Sequence, residues 1–173
     1  MGFSIRPARE DDIPRICDLL TELFSIEADF TADREKQSRG LSLLLQDRSG
    51  SSVVIVAERD NEVIGVCSVQ TLISTAEGGP VGLLEDLIVQ KHYRGNGIGT
   101  ELLAWIGRWC MAKKIRRLQL LRDSANNKAL EFYVRNGWNS TSLVCMRKLL
   151  SISDKSTSNP GKGMAEALTI IGD

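Results

Sequence analysis

The chain has 173 residues, a length that allows one domain with a substantial core and is too short for two ordinary domains. Its 22 Lys+Arg residues balance its 22 Asp+Glu residues, so no net charge attracts it to nucleic acid or to an anionic membrane. No apolar run reaches the length of a membrane span, and the N-terminus lacks the apolar region of a signal peptide. We therefore expect a cytoplasmic protein that acts on small molecules.

Two helices are predicted in the N-terminal part of the chain, after a short strand at residues 3–6. Asp11 and Asp12 precede apolar residues at helical spacing, and acidic residues favour a helix N-terminus. Thr31 is expected to cap the second helix, which ends before Gly50. The apolar stripe of each helix indicates that one of its faces is buried.

A β-hairpin is predicted next, followed by a central strand. The runs 52–59 and 62–71 are apolar and rich in β-branched residues, and they flank Asp60-Asn61, a two-residue turn signal. A polar loop then leads to a strand at residues 81–90. Its apolar residues fall on both faces, which is typical of a strand covered on both sides.

The central strand continues into a glycine-rich loop and then into a helix that begins near Ile98. Gly95, Gly97 and Gly99 alternate with other residues, and glycine leaves the neighbouring backbone N–H groups unobstructed. The helix adds its unpaired N-terminal N–H groups and the positive end of its dipole. This combination predicts a phosphate-binding site.

The spacing of the loop excludes three familiar phosphate-binding motifs. The dinucleotide fingerprint needs a glycine where Thr100 stands, and a P-loop needs Gly-Lys-Ser/Thr where residues 100–102 are Thr-Glu-Leu. Arg122-Asp123 looks like the start of a kinase catalytic loop, but the required asparagine is replaced by Lys128. The pattern that remains is Arg-x-x-Gly-x-Gly, beginning at Arg94.

The C-terminal half predicts a strand at 117–121, a helix at 126–136 that ends at Gly137, and a hairpin or single strand at 138–149. A strand, crossover helix and strand in one sheet run parallel, so the strand at 117–121 should lie parallel to the central strand. The alternation of strands and helices predicts an α/β fold.

We expect one domain at residues 1–150 and a separate tail at 151–173. Residues 151–163 are rich in Ser, Gly and Lys, the composition of a linker with low order. Residues 164–171 would form a short helix or strand that docks on the body or on the partner subunit of a homodimer. The sequence does not decide between helix and strand, or between docking on the body and docking on a partner subunit.

Two blocks of the sequence resemble the GCN5-related N-acetyltransferase (GNAT) family. The loop Arg94-Gly95-Asn96-Gly97-Ile98-Gly99 follows a strand and is similar to the family signature Gln/Arg-x-x-Gly-x-Gly/Ala. The run at 126–138 is similar to the second family block, Asn-x-x-Ala-x-x-Phe-Tyr-x-x-x-Gly-aromatic. The blocks stand in the right order with a strand-length gap between them, and the resemblance covers residues 3–149.

The resemblance implies a fold and a cofactor. The fold would be a single domain with a mixed sheet of about six to seven strands, helices on both faces and a splayed parallel strand pair. The cofactor would be acetyl-coenzyme A (acetyl-CoA), with Leu87 and Val89 pairing with its pantetheine arm. Asn126 would contact the cofactor, cap its helix, or do both. The pyrophosphate would be bound by the loop residues Arg94, Gly95, Asn96, Gly97, Ile98, Gly99 and Thr100.

The resemblance also implies catalytic residues. Glu85 matches the position that takes a proton from the acceptor amine, and Tyr133 matches the tyrosine that protonates the leaving thiolate. Alternation along a strand places Glu85 on the side of Leu87 and Val89, and Asp86 on the other side, where it would orient a loop or a water molecule. No metal site is expected, because the cysteines are scattered singly and His92 is the only histidine.

These features predict direct transfer of an acetyl group, without a covalent enzyme intermediate, to a primary amine of a small molecule. Two alternatives stay open: acetylation of a protein lysine or N-terminus, and a non-catalytic regulatory module that binds coenzyme A. The identity of the acceptor is not given by the sequence, because the family binds it with elements that vary freely.

Overall fold

The structure is a computed structural model that describes residues 2–25 and 31–150. The chain divides into two units, Met1–Thr141 and Ser142–Asp173. The first unit holds all the α-helices and strands of the described residues. These are β1 (Ser4–Pro7), α1 (Ile13–Phe24), α2 (Arg34–Leu45), β2 (Ser52–Arg59), β3 (Glu62–Ser74), β4 (Gly79–Val89), α3 (Ile98–Ala112), β5 (Leu118–Leu120) and α4 (Asn127–Arg135).

The strands form one mixed sheet in the order β1-β2-β3-β4-β5. The first three pairings are antiparallel, and β4 pairs with β5 in parallel, as the crossover through α3 requires. The predicted hairpin is confirmed: Asp60 and Asn61 both adopt positive φ, +51° and +62°, between β2 and β3. Positive φ at both central residues is the geometry of the turn that joins strands most tightly.

Helices cover both faces of the sheet. On one face, α1 and α2 pack over alternate residues of β2 and β3, such as Val54, Val56 and Val66. On the other face, α3 and α4 pack over the residues in between, such as Ile55 and Cys67. Because successive side chains in a strand point to opposite faces, the two apolar sets build two separate core layers. The α/β prediction is therefore confirmed.

Two predictions about the elements were wrong in detail. The second helix begins at Arg34 and is capped by Asp33, whose carboxylate accepts the N–H of Lys36 at 3.1 Å, and not by Thr31. A carboxylate at that position also complements the positive end of the helix dipole. The strand predicted at 138–149 is absent: residues 139–150 are exposed and form neither helix nor strand.

The sheet therefore has five strands within the described residues rather than six or seven. A strand persists only where a neighbouring strand supplies its hydrogen-bond partners, and no described strand does so for residues 139–150. The predicted linker at 151–163 and the docking segment at 164–171 lie outside the described residues. Within residues 2–25 and 31–150, no helix has the length and apolar character needed to cross a bilayer.

Candidate active site

The glycine loop connects β4 to α3 and presents a row of backbone N–H groups. Gly95 and Gly97 both adopt φ +80°, and Gly97 is the N-cap of α3. The first N–H bonded inside this helix is that of Glu101, which donates to the Gly97 carbonyl at 3.0 Å. Within the described residues, the N–H groups of 95–100 have no acceptor. Such a row at a positive helix end binds anions, and phosphate above all.

The three glycines of the loop serve two purposes. A Cβ added at Gly95 or Gly97 would meet nothing within 4 Å, so the space above these residues is open to a ligand. A Cβ added at Gly99 would lie 3.0 Å from Cζ of Phe132, on α4. Gly99 is therefore needed for close packing of α3 against α4, whereas Gly95 and Gly97 leave room for a phosphate.

Two polar side chains of the loop are already engaged by the protein. The Arg94 guanidinium donates from Nη2 to Oε1 of Glu22 on α1 at 2.6 Å and from Nε to the Val89 carbonyl at 2.8 Å. The Asn96 amide donates to the carbonyls of Tyr93 and Arg94. Arg94 thus links the loop to α1, and the predicted contact of these two side chains with the cofactor stays a prediction.

A narrow cleft opens where β4 and β5 separate. Their pairing covers only Gly82–Leu84 opposite Leu118–Leu120. Beyond it lies a cavity of about 90 Å³. Four of the five predicted site residues outside the loop line this cavity, namely Glu85, Leu87, Asn126 and Tyr133, whereas Val89 is not among its lining residues. The other lining residues are Leu23, Leu84, Leu121, Arg122, Asp123 and Ala129.

A β-bulge at Glu85 gives this cleft its shape. Ser68 pairs with Asp86 and the next residue, Val69, pairs with Leu84, so Glu85 is an extra residue without a partner on β3. As a result Leu84 and Leu87 both pack against the core layer under α3. Strict alternation was therefore the wrong argument for the side of Glu85, although Glu85 and Leu87 do line the same cleft.

The bulge also turns the backbone of β4 towards the cleft. The Gly82 N–H donates to the carbonyl of Arg117, the residue before β5, whereas the Gln90 N–H donates to the Ile64 carbonyl on β3. In a regular strand, the N–H groups of two residues separated by an even number of positions, such as Gly82 and Gln90, would point to the same neighbouring strand. Beyond the bulge, the N–H groups of Leu87 and Val89 therefore point to the side where β5 has ended, and an extended ligand can pair with them.

The two adjacent acids have different surroundings. Asp86 is partly buried and accepts a hydrogen bond from the Ser68 hydroxyl at 2.6 Å. Burial raises the pKa of the Asp86 carboxyl, and the Ser68 hydrogen bond opposes this rise. The Glu85 side chain stays accessible in the cleft, where loss of hydration raises the pKa of its carboxyl and the neighbouring charge of Asp86 raises it further. A carboxyl with a raised pKa is a stronger base once it is ionised.

Helix α4 forms the wall opposite β4. The Asn126 side chain caps this helix, because its amide oxygen accepts a hydrogen bond from the N–H of Ala129 at 3.0 Å. The NH₂ group of the same side chain remains available to a ligand. Tyr133 reaches the cleft from the second turn and packs edge-to-face against Phe132 and Trp138, with ring centroids 5.2 and 5.6 Å away. These contacts fix the position of the phenol ring.

Arg122 and Asp123 line the cleft but were not predicted as site residues. They follow the carboxyl end of β5, beside the carboxyl end of β4, and ligands in open α/β sheets bind at that edge. This rule was the signal that could have identified them. By itself, the pair Arg122-Asp123 resembles only the start of a kinase catalytic loop, which Lys128 excludes.

An anion-binding loop, a strand with a free edge, and a cleft lined by an acid and a phenol are the arrangement expected of an acyltransferase that uses a nucleotide-linked thioester. Residues 13–138 match the family described as Acetyltransferase (GNAT) family, and the chain belongs to this family. It is an N-acetyltransferase, and its cofactor is acetyl-CoA. The open space above Gly95 and Gly97, with its unpaired N–H groups, fits the pyrophosphate of that cofactor.

Known relatives agree with this assignment. Aminoalkylphosphonate N-acetyltransferase of Salmonella typhimurium is 27% identical over 134 residues, which are 78% of this chain and 83% of that protein. A solved structure of a possible acetyltransferase from Clostridium difficile 630 has a TM-score of 0.76 at 20% identity and covers 88% of this chain and 100% of that chain. A solved aminoglycoside N-acetyltransferase in complex with CoA has a TM-score of 0.74 at 18% identity, covering 86% and 95%. At these identities, the two structures show the fold alone.

Proposed function

We propose that this protein transfers the acetyl group of acetyl-CoA directly to a primary amine of a small molecule. The observation that carries the proposal is the cleft, in which Glu85 and Tyr133 line one cavity beside the free edge of β4. Small-molecule acceptors are supported by the relatives named for aminoalkylphosphonate and aminoglycoside acetylation.

Acetyl-CoA supplies an acetyl group activated as a thioester. The N–H groups of residues 95–100 bind its pyrophosphate, and the N–H groups of Leu87 and Val89 pair with its extended arm. A preorganised N–H at the reacting carbonyl stabilises developing negative charge by about 3 kcal/mol. Holding both reactants in the cleft also removes the entropic cost of bringing them together during the reaction.

Two side chains move protons in this scheme. Glu85 takes a proton from the acceptor ammonium, directly or through water, and so frees the nitrogen lone pair. Tyr133, on the opposite wall, donates its phenolic proton to the departing sulfur. A thiol has an ordinary pKa of about 8.5, so the thiolate leaves readily and the contribution of Tyr133 is smaller than that of an acid serving an alcohol.

A thiol-release assay with acetyl-CoA and a panel of amino acids, amino alcohols, polyamines, aminoglycosides and lysine peptides tests the proposal. We expect release that depends on a small amine, together with an N-acetylated product identified by mass spectrometry. Acetylation of peptides alone would favour a protein substrate. Tight binding of acetyl-CoA without turnover of any amine would favour a regulatory module that binds coenzyme A.

A further inference from the structure

Arg122 places a fixed positive charge in the cleft. Its Nη1 donates to three main-chain carbonyls of the loop between β5 and α4, those of Asp123, Ser124 and Asn126, at 2.5, 3.1 and 3.2 Å. The guanidinium plane is therefore held in place, and it lines the same cavity as Glu85 and Tyr133. Holding one nitrogen of the fork leaves the others available to a ligand.

No carboxylate of the described residues forms an ion pair with Arg122. The neighbouring Asp123 directs Oδ1 to the N–H of Ala125, at 2.8 Å. Within residues 2–25 and 31–150, Nε and Nη2 of Arg122 have no acceptor. Other arginines of the first unit do pair with acids: Arg6 with Asp12 and Glu58, Arg15 with Glu62, Arg34 with Asp18, and Arg94 with Glu22.

This inference rests on the proposed function, in which the cofactor carries no anionic group near Arg122. Its phosphates lie at residues 95–100, beyond the end of β4. The five residue steps from Glu85 to Gln90 extend over roughly 17 Å. The arm that reaches the cleft carries amides and a thioester, which are neutral. Among the described residues, this fixed cation at the reacting end therefore has no anion paired with it until the acceptor arrives.

We propose that Arg122 binds an anionic group of the acceptor, a carboxylate or a phosphonate, so that the preferred substrate is a zwitterionic amine whose ammonium group faces Glu85. A planar guanidinium matches the paired oxygens of these anions and forms charge-assisted hydrogen bonds with them. Opposite charges on two walls fix the orientation of a zwitterion, and they disfavour an acceptor that carries only positive charge.

Four amines of equal length test this preference: 3-aminopropylphosphonate, 4-aminobutanoate, 4-amino-1-butanol and 1,4-diaminobutane. The reacting amino group is the same in each, and only the far end differs. We expect kcat/KM for the phosphonate or the carboxylate to exceed that for the alcohol and the diamine by about ten- to a hundredfold, the range of a charge-assisted hydrogen bond. The phosphonate and carboxylate arms show which anion fits better.

Three variants separate recognition from structural support. Arg122→Met should bring the acid-to-alcohol ratio of kcat/KM close to one, and Arg122→Lys should keep part of it, because lysine retains the charge but not the fork. Arg116→Met is the matched control, since exposed Arg116 precedes the same strand at its other end, roughly 20 Å away. Calorimetric titration of the preferred acid into enzyme with CoA should show binding in wild type and Arg116→Met, but not in Arg122→Met.

The ratio distinguishes the competing explanations. If Arg122 only supports its loop, Arg122→Met lowers kcat/KM for all four amines by the same factor, and the inference is overturned. A higher KM for acetyl-CoA with an unchanged ratio overturns it as well, because Arg122 then serves the cofactor. If wild type acetylates the acids and the alcohol equally well, or prefers the diamine, the inference about Arg122 is wrong, while the proposed function is still supported. Turnover of no amine removes both.

Discussion

The glycine loop at residues 94–100 follows the end of β4, and the cleft lies along the same strand where β5 separates from it. The two sites are built in different ways. The loop presents main-chain N–H groups, because Gly95 and Gly97 adopt φ +80° and carry no side chains. The cleft presents side chains and a free strand edge, because β5 pairs with β4 only at Gly82–Leu84 and the extra residue Glu85 turns the following N–H groups to that side. One site depends on glycine, and the other depends on the register of two strands.

This difference decides what a sequence reveals. A backbone position that needs positive φ can be recognised in the sequence as a glycine, since glycine adopts this conformation at little cost. A β-bulge at a residue such as Glu85 cannot be recognised in this way, and residues 83–89 look like an ordinary apolar strand with two acids. The loop can therefore be identified from one segment, whereas the cleft requires knowledge of how β4 pairs with β3.

The largest effect should come from blocking the loop. Gly97→Ala places a Cβ over the free N–H groups and strains a φ of +80°. We expect affinity for acetyl-CoA to fall by about a hundredfold, which corresponds to losing one strong charge-assisted hydrogen bond. Isothermal titration calorimetry measures the change.

Gly78→Ala is the matched control for Gly97→Ala, because Gly78 also has positive φ, +63°, with open space around it, in the turn between β3 and β4. It should lose similar stability and keep its affinity for acetyl-CoA. If Gly97→Ala binds acetyl-CoA as tightly as wild type, the loop does not bind the phosphates.

A smaller loss is expected on the wall of the cleft. Tyr133→Phe removes the phenolic proton but keeps the ring contacts with Phe132 and Trp138. Turnover at saturating acetyl-CoA should fall by about ten- to a hundredfold, the low end for a general acid because thiolate leaves readily. Single-turnover kinetics measure this, with unchanged melting temperature and cofactor affinity as controls. An unaltered rate of the chemical step would leave Tyr133 as a packing residue.

The smallest effect on activity is expected at Asp86, where stability should change instead. Because its pKa is raised in the folded protein, the wild type loses stability as pH rises from the ordinary value of about 3.9 through the folded pKa. Asp86→Asn removes this loss. The variant should melt a few degrees above wild type at pH 7, and the difference should vanish near pH 3. Lower stability of Asp86→Asn at pH 7 would mean that the carboxylate is ionised and well paired.

Most of the fold could be predicted from local signals. The turn at Asp60-Asn61 and the parallel placement of β5 follow from residue chemistry and chain connectivity. The strand expected at 138–149 did not form, because an apolar run indicates β-propensity but not a partner strand. The same limit explains the cap at Asp33: Thr31 and Asp33 are both good capping residues, and packing of the helix decides between them.

The site could be predicted only in part. Glu85, Leu87, Asn126 and Tyr133 do lie around one cavity, although the roles given to them stay predictions. Arg122 could be found only from the rule that ligands bind beyond the carboxyl ends of parallel strands, because an arginine after a short strand is common in itself. Its position matters only because β4 and β5 separate at Leu84, and that separation is a property of the sheet.

The central claim is that the bulge gives two adjacent acids different tasks, with Glu85 as the proton acceptor and Asp86 as a structural residue. An amine with a pKa near 10.4 is almost fully protonated at pH 7, and freeing its lone pair costs about 4 to 5 kcal/mol without a base. Pre-steady-state acetylation of an identified amine from pH 6 to pH 10, with wild type, Glu85→Gln and Asp86→Asn, tests this claim directly. We predict that Glu85→Gln lowers kcat/KM more than Asp86→Asn, and that its deficit shrinks as free amine accumulates at high pH. A Glu85→Gln deficit that stays constant across this range, or a larger loss from Asp86→Asn, would contradict the account.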